Sequence, residues 1–177
     1  MIKGTGTKEA KQFPASVKED LIFLLLKIVI LAGLLVTTFA FIFGIYRCSD
    51  NSMKPAFKDG DLDLYYRLEN NYQISDVVVI EKDGDTQIRR IVAREGDVVD
   101  ITADGLKVNG YLQQETEIYT ETLPYKEGIE FPLTLGKDEY FVLGDNRINT
   151  KDSRIYGAVK KSEIKGNVIT ILRRRGI

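Results

Sequence analysis

Histidine is absent from the 177 residues. No Ser-His-Asp triad, Cys-His dyad, His-ligated metal or imidazole shuttle can be built from this chain. Proton chemistry falls to Lys, Asp, Glu, Tyr, Cys or the amino terminus. Cysteine occurs once, at Cys48, which excludes an internal disulfide framework and a thiolate-rich zinc site. Tryptophan is absent as well. Neither sign of charge dominates: 25 Lys+Arg face 26 Asp+Glu, a net charge of −1. That balance argues against a nucleic-acid partner. No cofactor is expected.

What is present is unevenly spread. Ile28 to Ile45 is 18 residues without a charge, and Leu21–Leu26 extends the apolar stretch with only Lys27 between. A helix of about 25 residues at about 1.5 Å each spans a hydrocarbon layer about 30 Å thick. Lys27 can snorkel to an interface. A buried core helix would be shorter and less uniformly apolar. A cleavable signal peptide has an apolar run of about 7–15 residues and a small-residue cleavage pattern, which do not match. Lys3, Lys8, Lys11 and Lys18 precede the span and Arg47 follows it. The basic flank predicts a cytoplasmic amino terminus. The expected division is a cytoplasmic segment 1–20, a transmembrane helix 21–45 and an extracytoplasmic domain 46–177, with the lipid bilayer as a partner. Cys48 reads as an unpaired juxtamembrane thiol.

The exported part reads as antiparallel β. Leu62–Arg67, Val77–Lys82, Gln87–Ala93, Val98–Ile101, Tyr140–Leu143 and Asn167–Leu172 are short and rich in β-formers. Turn signals at Asp83-Gly84, Asp104-Gly105 and Asn109-Gly110 fall between them, and the first predicts a hairpin of the second and third runs. No amphipathic helix is expected after residue 48. Residues 111–138, polar and irregular, predict a long excursion. Arg173-Arg174-Arg175 reads as a solvated tail.

Three segments carry a chemical signal. Ser52-Met53-Lys54-Pro55 precedes Gly60-Asp61 and reads either as a turn or as a nucleophile segment. Arg89-Arg90 opens a strand that runs into Gly96-Asp97, either a solvated strand face or part of a site. The segment 144–154 (Gly-Asp-Asn-Arg-Ile-Asn-Thr-Lys-Asp-Ser-Arg) gathers acids, arginines and hydroxyls into a hydrogen-bonded loop buttress. A calcium loop does not fit its ligand spacing or its arginines, and no metal is expected. Ser52 is seven residues beyond Ile45, so it lies within roughly 25 Å of the membrane edge.

In this order, after an apolar helix, the segments resemble bacterial type I signal peptidases (the S26 family) over nearly the whole chain. The resemblance implies a mainly β, antiparallel signal-peptidase-like domain tethered by one amino-terminal transmembrane helix. It implies a membrane-bound serine endopeptidase that removes signal peptides from exported precursors. Ser52 matches the nucleophile, with Met53 and Pro55 beside it. The family uses a neutral lysine amine as base, which explains how a protease can lack histidine.

At that position stands Arg89, whose guanidinium does not deprotonate. Arg90 matches the following arginine. Thr150 keeps the hydroxyl that resembles the lysine's hydrogen-bond partner, and Asp152 and Arg154 match a supporting ion pair. Asp50 replaces a glycine or serine, where a carboxylate would oppose developing negative charge. Lys82 and Lys54 are alternative amines, and Arg89 is expected to pair with Asp50 or Asp152. The altered dyad also resembles accessory signal-peptidase-like proteins of sortase-built pili, with pilins or sortase as partners.

Overall fold

The computed structural model describes residues 17–116 and 118–173. Lys3, Lys8, Lys11, Arg174 and Arg175 lie outside the described residues. The chain falls into two units, divided between Ala40 and Phe41.

The described part of the first unit is helical: α1 (Val17–Ile42) runs two residues past the division, and its apolar stretch Lys18–Ile42 has a mean hydropathy of 2.6. Its large side chains are exposed all round, from Leu21 to Phe41. A helix apolar on every side is made for lipid rather than for one face of a core. Thr37 and Thr38 satisfy their hydroxyls inside the helix, donating to Gly33 O and Leu34 O at 2.8 Å. That removes the cost of two free polar groups in hydrocarbon.

The helix stops three residues before the expected Ile45. Phe43–Arg47 is instead strand β1, paired with β2 (Leu62–Tyr66) in the register Gly44↔Tyr65. The Tyr65 ring lies over Gly44, where a Cβ would meet its Cζ. An apolar composition alone does not distinguish lipid from a sheet partner, so Phe43–Ile45 continue the apolar run in the sequence and pair as strand in the structure.

The second unit is antiparallel β, as the sequence predicts. Its strands continue with β3 (Val77–Lys82), β4 (Asp85–Arg94), β5 (Val98–Thr102), β6 (Gly105–Val108), β7 (Tyr111–Leu112), β8 (Leu133–Thr134) and β9 (Glu139–Leu143). A single helical turn, α2 (Ser153–Tyr156), then leads to β10 (Val159–Lys160) and β11 (Ile164–Leu172). Seven strands form one sheet in the order β1-β2-β11-β3-β4-β9-β10, and four form a second in the order β7-β6-β5-β8. The β3–β4 hairpin closes through Asp83 and Gly84, with φ of 53° and 83°. Two consecutive positive φ values match the strand twist, which is why Asp-Gly serves there. The excursion after Tyr111 is mostly irregular, with β7 and β8 short at its ends.

Strands β3 and β4 are central and covered on both faces. Val78, Val79 and Ile80 are all fully buried. This is why β3 reads as an unbroken apolar run rather than an alternating one. One core cluster joins the sheets through Val99, Leu106, Phe141 and Leu143. Another, of Cys48, Met53, Phe57, Tyr65, Val79 and Ile88, lies beneath the serine segment.

Asp63 sits on the buried face of β2 with neither carboxylate oxygen hydrogen-bonded among the described residues. Desolvation, with Asp61 nearby, pushes its pKa up from 3.8 to about 6. A folded-state value above the unfolded one means that the charge destabilises the fold at neutral pH. Stability from this group returns as pH falls from about 6 toward 4. Asp63→Asn is therefore expected to stabilise the chain at pH 7.5 by on the order of 2 kcal/mol, and to flatten the rise below pH 6. Thermal unfolding of the detergent-solubilised chain across pH checks this; an equal or lower melting temperature at pH 7.5 would count against it.

Candidate active site

The segment between β1 and β2 is a closed loop. Cys48 N donates to Asp61 O and Gly60 N to Cys48 O, each at 2.9 Å. Within it, Phe57 N donates to Met53 O, turning the chain so that Met53 and Phe57 enter the core. Ser52 is carried to the top of this turn and is 3% exposed. Cys48 is free and buried, and its Sγ donates to Asp50 O at 3.4 Å. Burial pushes its thiol pKa up, which makes it an inert packing residue. Lys54 and Pro55 are exposed at the loop surface.

Ser52 Oγ is held from both sides. Arg89 NH1 donates to it at 2.8 Å, and the hydroxyl donates to Asp50 Oδ1 at 2.7 Å. Asp50 Oδ1 also accepts from Ser52 N at 3.0 Å. The expected ion pair is thus bridged by the serine: Arg89 meets Asp50 only through that hydroxyl. Among the described residues no carboxylate forms an ion pair with Arg89. Its Nε and NH2 donate to Lys151 O at 3.1 and 2.7 Å, and NH1 also donates to Ile88 O at 2.5 Å. Arg89 is 2% exposed, its guanidinium solvated by carbonyl oxygens and the Ser52 hydroxyl rather than by a counter-ion.

The segment 144–154 holds this pair in place. Asn146 N donates to Ser52 O at 2.8 Å, and Asn146 Nδ2 to Asn51 O at 3.1 Å. Asp145 receives a two-pronged pair from Arg90, 2.8 and 2.6 Å. Its N–H points at Met53 Sδ. Asp152 and Arg154 form the expected pair, both buried, with Nε and NH2 each 2.9 Å from a carboxylate oxygen. Asp152 Oδ2 also accepts Gly144 N, and Arg154 NH2 donates to Arg147 O at 2.7 Å. Arg147, fully buried, grips Glu115 at 2.5 and 2.6 Å and also bonds Thr122. Thr150 packs over Gly144 beside Ser52 O, its Oγ1 without a partner among the described residues.

Lys82 is not brought to the serine. Its Nζ donates to Glu163 at 3.0 and 3.1 Å and to Ala158 O. Arg173 is no solvated tail: it clamps Asp61 at 2.7 Å and Ala56 O at 3.0 Å, closing the serine loop from outside. The Arg173 guanidinium holds the Asp61 carboxyl below its usual range.

Strand β4 carries Arg89 at a change of partner. Strand β3 pairs with all of Asp85–Arg90, but β9 pairs only from Arg90 onward. The edge of residues 85–89 away from β3 is therefore free of a strand among the described residues. Two carbonyls in that stretch, two residues apart, already accept local donors: Tyr46 OH bonds Thr86 O at 2.8 Å, and Arg89 bonds Ile88 O.

The chain thus combines a helix apolar and long enough to cross a membrane with an antiparallel β domain that holds the Ser52 hydroxyl between Arg89 and Asp50. The family model for signal peptidase, peptidase S26, matches residues 21–172, and the chain belongs to that family. Signal peptidase I of Bacillus licheniformis is 30% identical, covering 84% of this chain and 87% of its own length. Signal peptidase IB of Staphylococcus aureus (strain Mu50) is 28% identical, covering 85% and 88%. A crystal structure of signal peptidase I from Enterococcus faecalis V583 matches with a TM-score of 0.47 and 27% identity, over 57% of this chain and 98% of that one. The chain is a membrane protein of this family, with one helix among the described residues, Lys18–Ile42, long and apolar enough to span a bilayer.

Proposed function

We propose that this chain is a serine endopeptidase that removes signal peptides from exported precursors at the outer face of the cell membrane. Residues 1–20 then lie in the cytoplasm and the β domain outside. The carrying observation is the Ser52 hydroxyl, buried between a cation and a carboxylate and supported by the 144–154 network. An extended substrate would add as a β-strand along residues 85–89 of β4, displacing the donors that hold Thr86 O and Ile88 O, with small residues filling shallow pockets.

The test is cleavage of a signal-peptide-bearing precursor by the detergent-solubilised chain. Ser52→Ala is expected to reduce the rate at least 100-fold, with the melting temperature changed little. Equal cleavage by Ser52→Ala, or none by the natural protein, would end this reading. One observation favours a second reading: Arg89 cannot take the serine proton and already occupies Oγ. In that reading the chain binds precursors or pilus components without cutting them, as an accessory protein in sortase-dependent assembly.

A further inference from the structure

We propose that Asp50 is the proton acceptor for Ser52, in place of an amine; the inference rests on the endopeptidase reading above. Arg89 NH1 can only donate, so the contact at 2.8 Å occupies a lone pair of Oγ. The hydroxyl's own proton must then point elsewhere, and Asp50 Oδ1 stands 2.7 Å away as its acceptor. The bond from Ser52 N to the same carboxylate oxygen fixes the carboxylate in that position. No other described group competes. Lys82 is committed to Glu163, and both oxygens of Asp152 are committed to Arg154.

Arg89 has the complementary task. A fixed cation beside Oγ favours the alkoxide and cannot itself protonate it away. The carboxylate that would repel an oxyanion becomes a neutral acid once it holds the proton, so its charge disappears as negative charge develops on the substrate.

The chemistry balances. The Ser52 O–H bond breaks, the proton passes to Asp50 Oδ1, and the Oγ electron pair bonds the scissile carbonyl carbon. The tetrahedral adduct collapses, the C–N bond breaks, and Asp50 returns the proton to the leaving amine. Water then gives a proton to Asp50 and adds to the ester, and Asp50 reprotonates Ser52 as the acid product leaves. The titratable groups around the carboxylate are Arg89 from β4, Tyr46 from β1 and Cys48 from the loop itself.

The test separates this base from the choice of substrate. A fluorophosphonate probe phosphonylates an activated serine, the Oγ–P bond forming as the P–F bond breaks and fluoride leaves, without needing a peptide. The detergent-solubilised full chain is treated with it, and adduct formation on Ser52 is followed by mass spectrometry for the natural protein, Asp50→Asn and Asp50→Glu. Asp50→Asn keeps an oxygen for Ser52 N but cannot accept a proton. The expected result is labelling of the natural protein, at least 100-fold slower labelling of Asp50→Asn, and partial recovery in Asp50→Glu. Equal labelling of Asp50→Asn, or no labelling of the natural protein, overturns the proposal. Labelling without precursor cleavage leaves Asp50 as the base and removes the signal-peptide substrate instead.

Discussion

Arg154→Leu is expected to lower the melting temperature of the solubilised chain by about 10 °C or more, from a loss on the order of 3–5 kcal/mol. Asp152 is fully buried, and Arg154 supplies two of its hydrogen bonds. Removing the guanidinium leaves a charge in the protein interior with only backbone N–H groups for company. The same arginine donates to Leu123 O and Arg147 O and stacks 4.4 Å from the centre of the Tyr125 ring. One substitution therefore removes one tie between the excursion after Tyr111 and the 144–147 turn, leaving the links from Arg147 to Glu115 and Thr122 to hold them together. Against a typical net stability of about 5–15 kcal/mol this is a large fraction. The double substitution Asp152→Asn with Arg154→Leu should cost less than the sum of the two singles, because no charge is stranded. A shift below 2 °C for Arg154→Leu would show that the pair is not what secures this end of the domain.

What could be read in advance follows from where information sits in the chain. The β3–β4 hairpin was legible because two runs of β-formers flank an Asp-Gly pair whose backbone needs are local. The end of α1 was not, since Phe43–Ile45 are as apolar as the helix and only pairing with β2 makes them strand. Ser52, Arg89, Arg90, Thr150, Asp152 and Arg154 could be grouped through the order of their segments. The groups that complete the site carry no residue-type signal of their own: Lys151 serves through its carbonyl and Asn146 chiefly through its N–H. Glu115 and Thr122 lay in a stretch legible only as an excursion, yet they bind the buried Arg147. An unpaired acid at 63 was equally hidden, because alternation along β2 says which residues turn inward but not whether a partner awaits them.

Exchanging both charged neighbours of the serine is expected to convert one kind of base into another. Arg89→Lys alone should be slower than the natural protein at cleavage. The amine would face Asp50, and a neighbouring carboxylate keeps an amine protonated. It would also lose the fork that Arg89 places on Lys151 O. Asp50→Ser alone should be slower by about 10²–10⁴-fold, since no proton acceptor remains. Together the two changes place an amine in a buried site without a carboxylate beside it, where desolvation favours the neutral form. Thr150 Oγ1, without a partner among the described residues, lies close to Ser52 O and offers that amine an orienting contact. The double variant should therefore be faster than either single variant by at least tenfold. Its rate should climb steeply between about pH 7 and 9, where such an amine sheds its proton. Cleavage rates of the four proteins across pH measure this coupling directly. If Arg89→Lys by itself outpaces the natural protein, Asp50 takes no part in the proton transfer, and the arginine is simply an obstacle where an amine would serve.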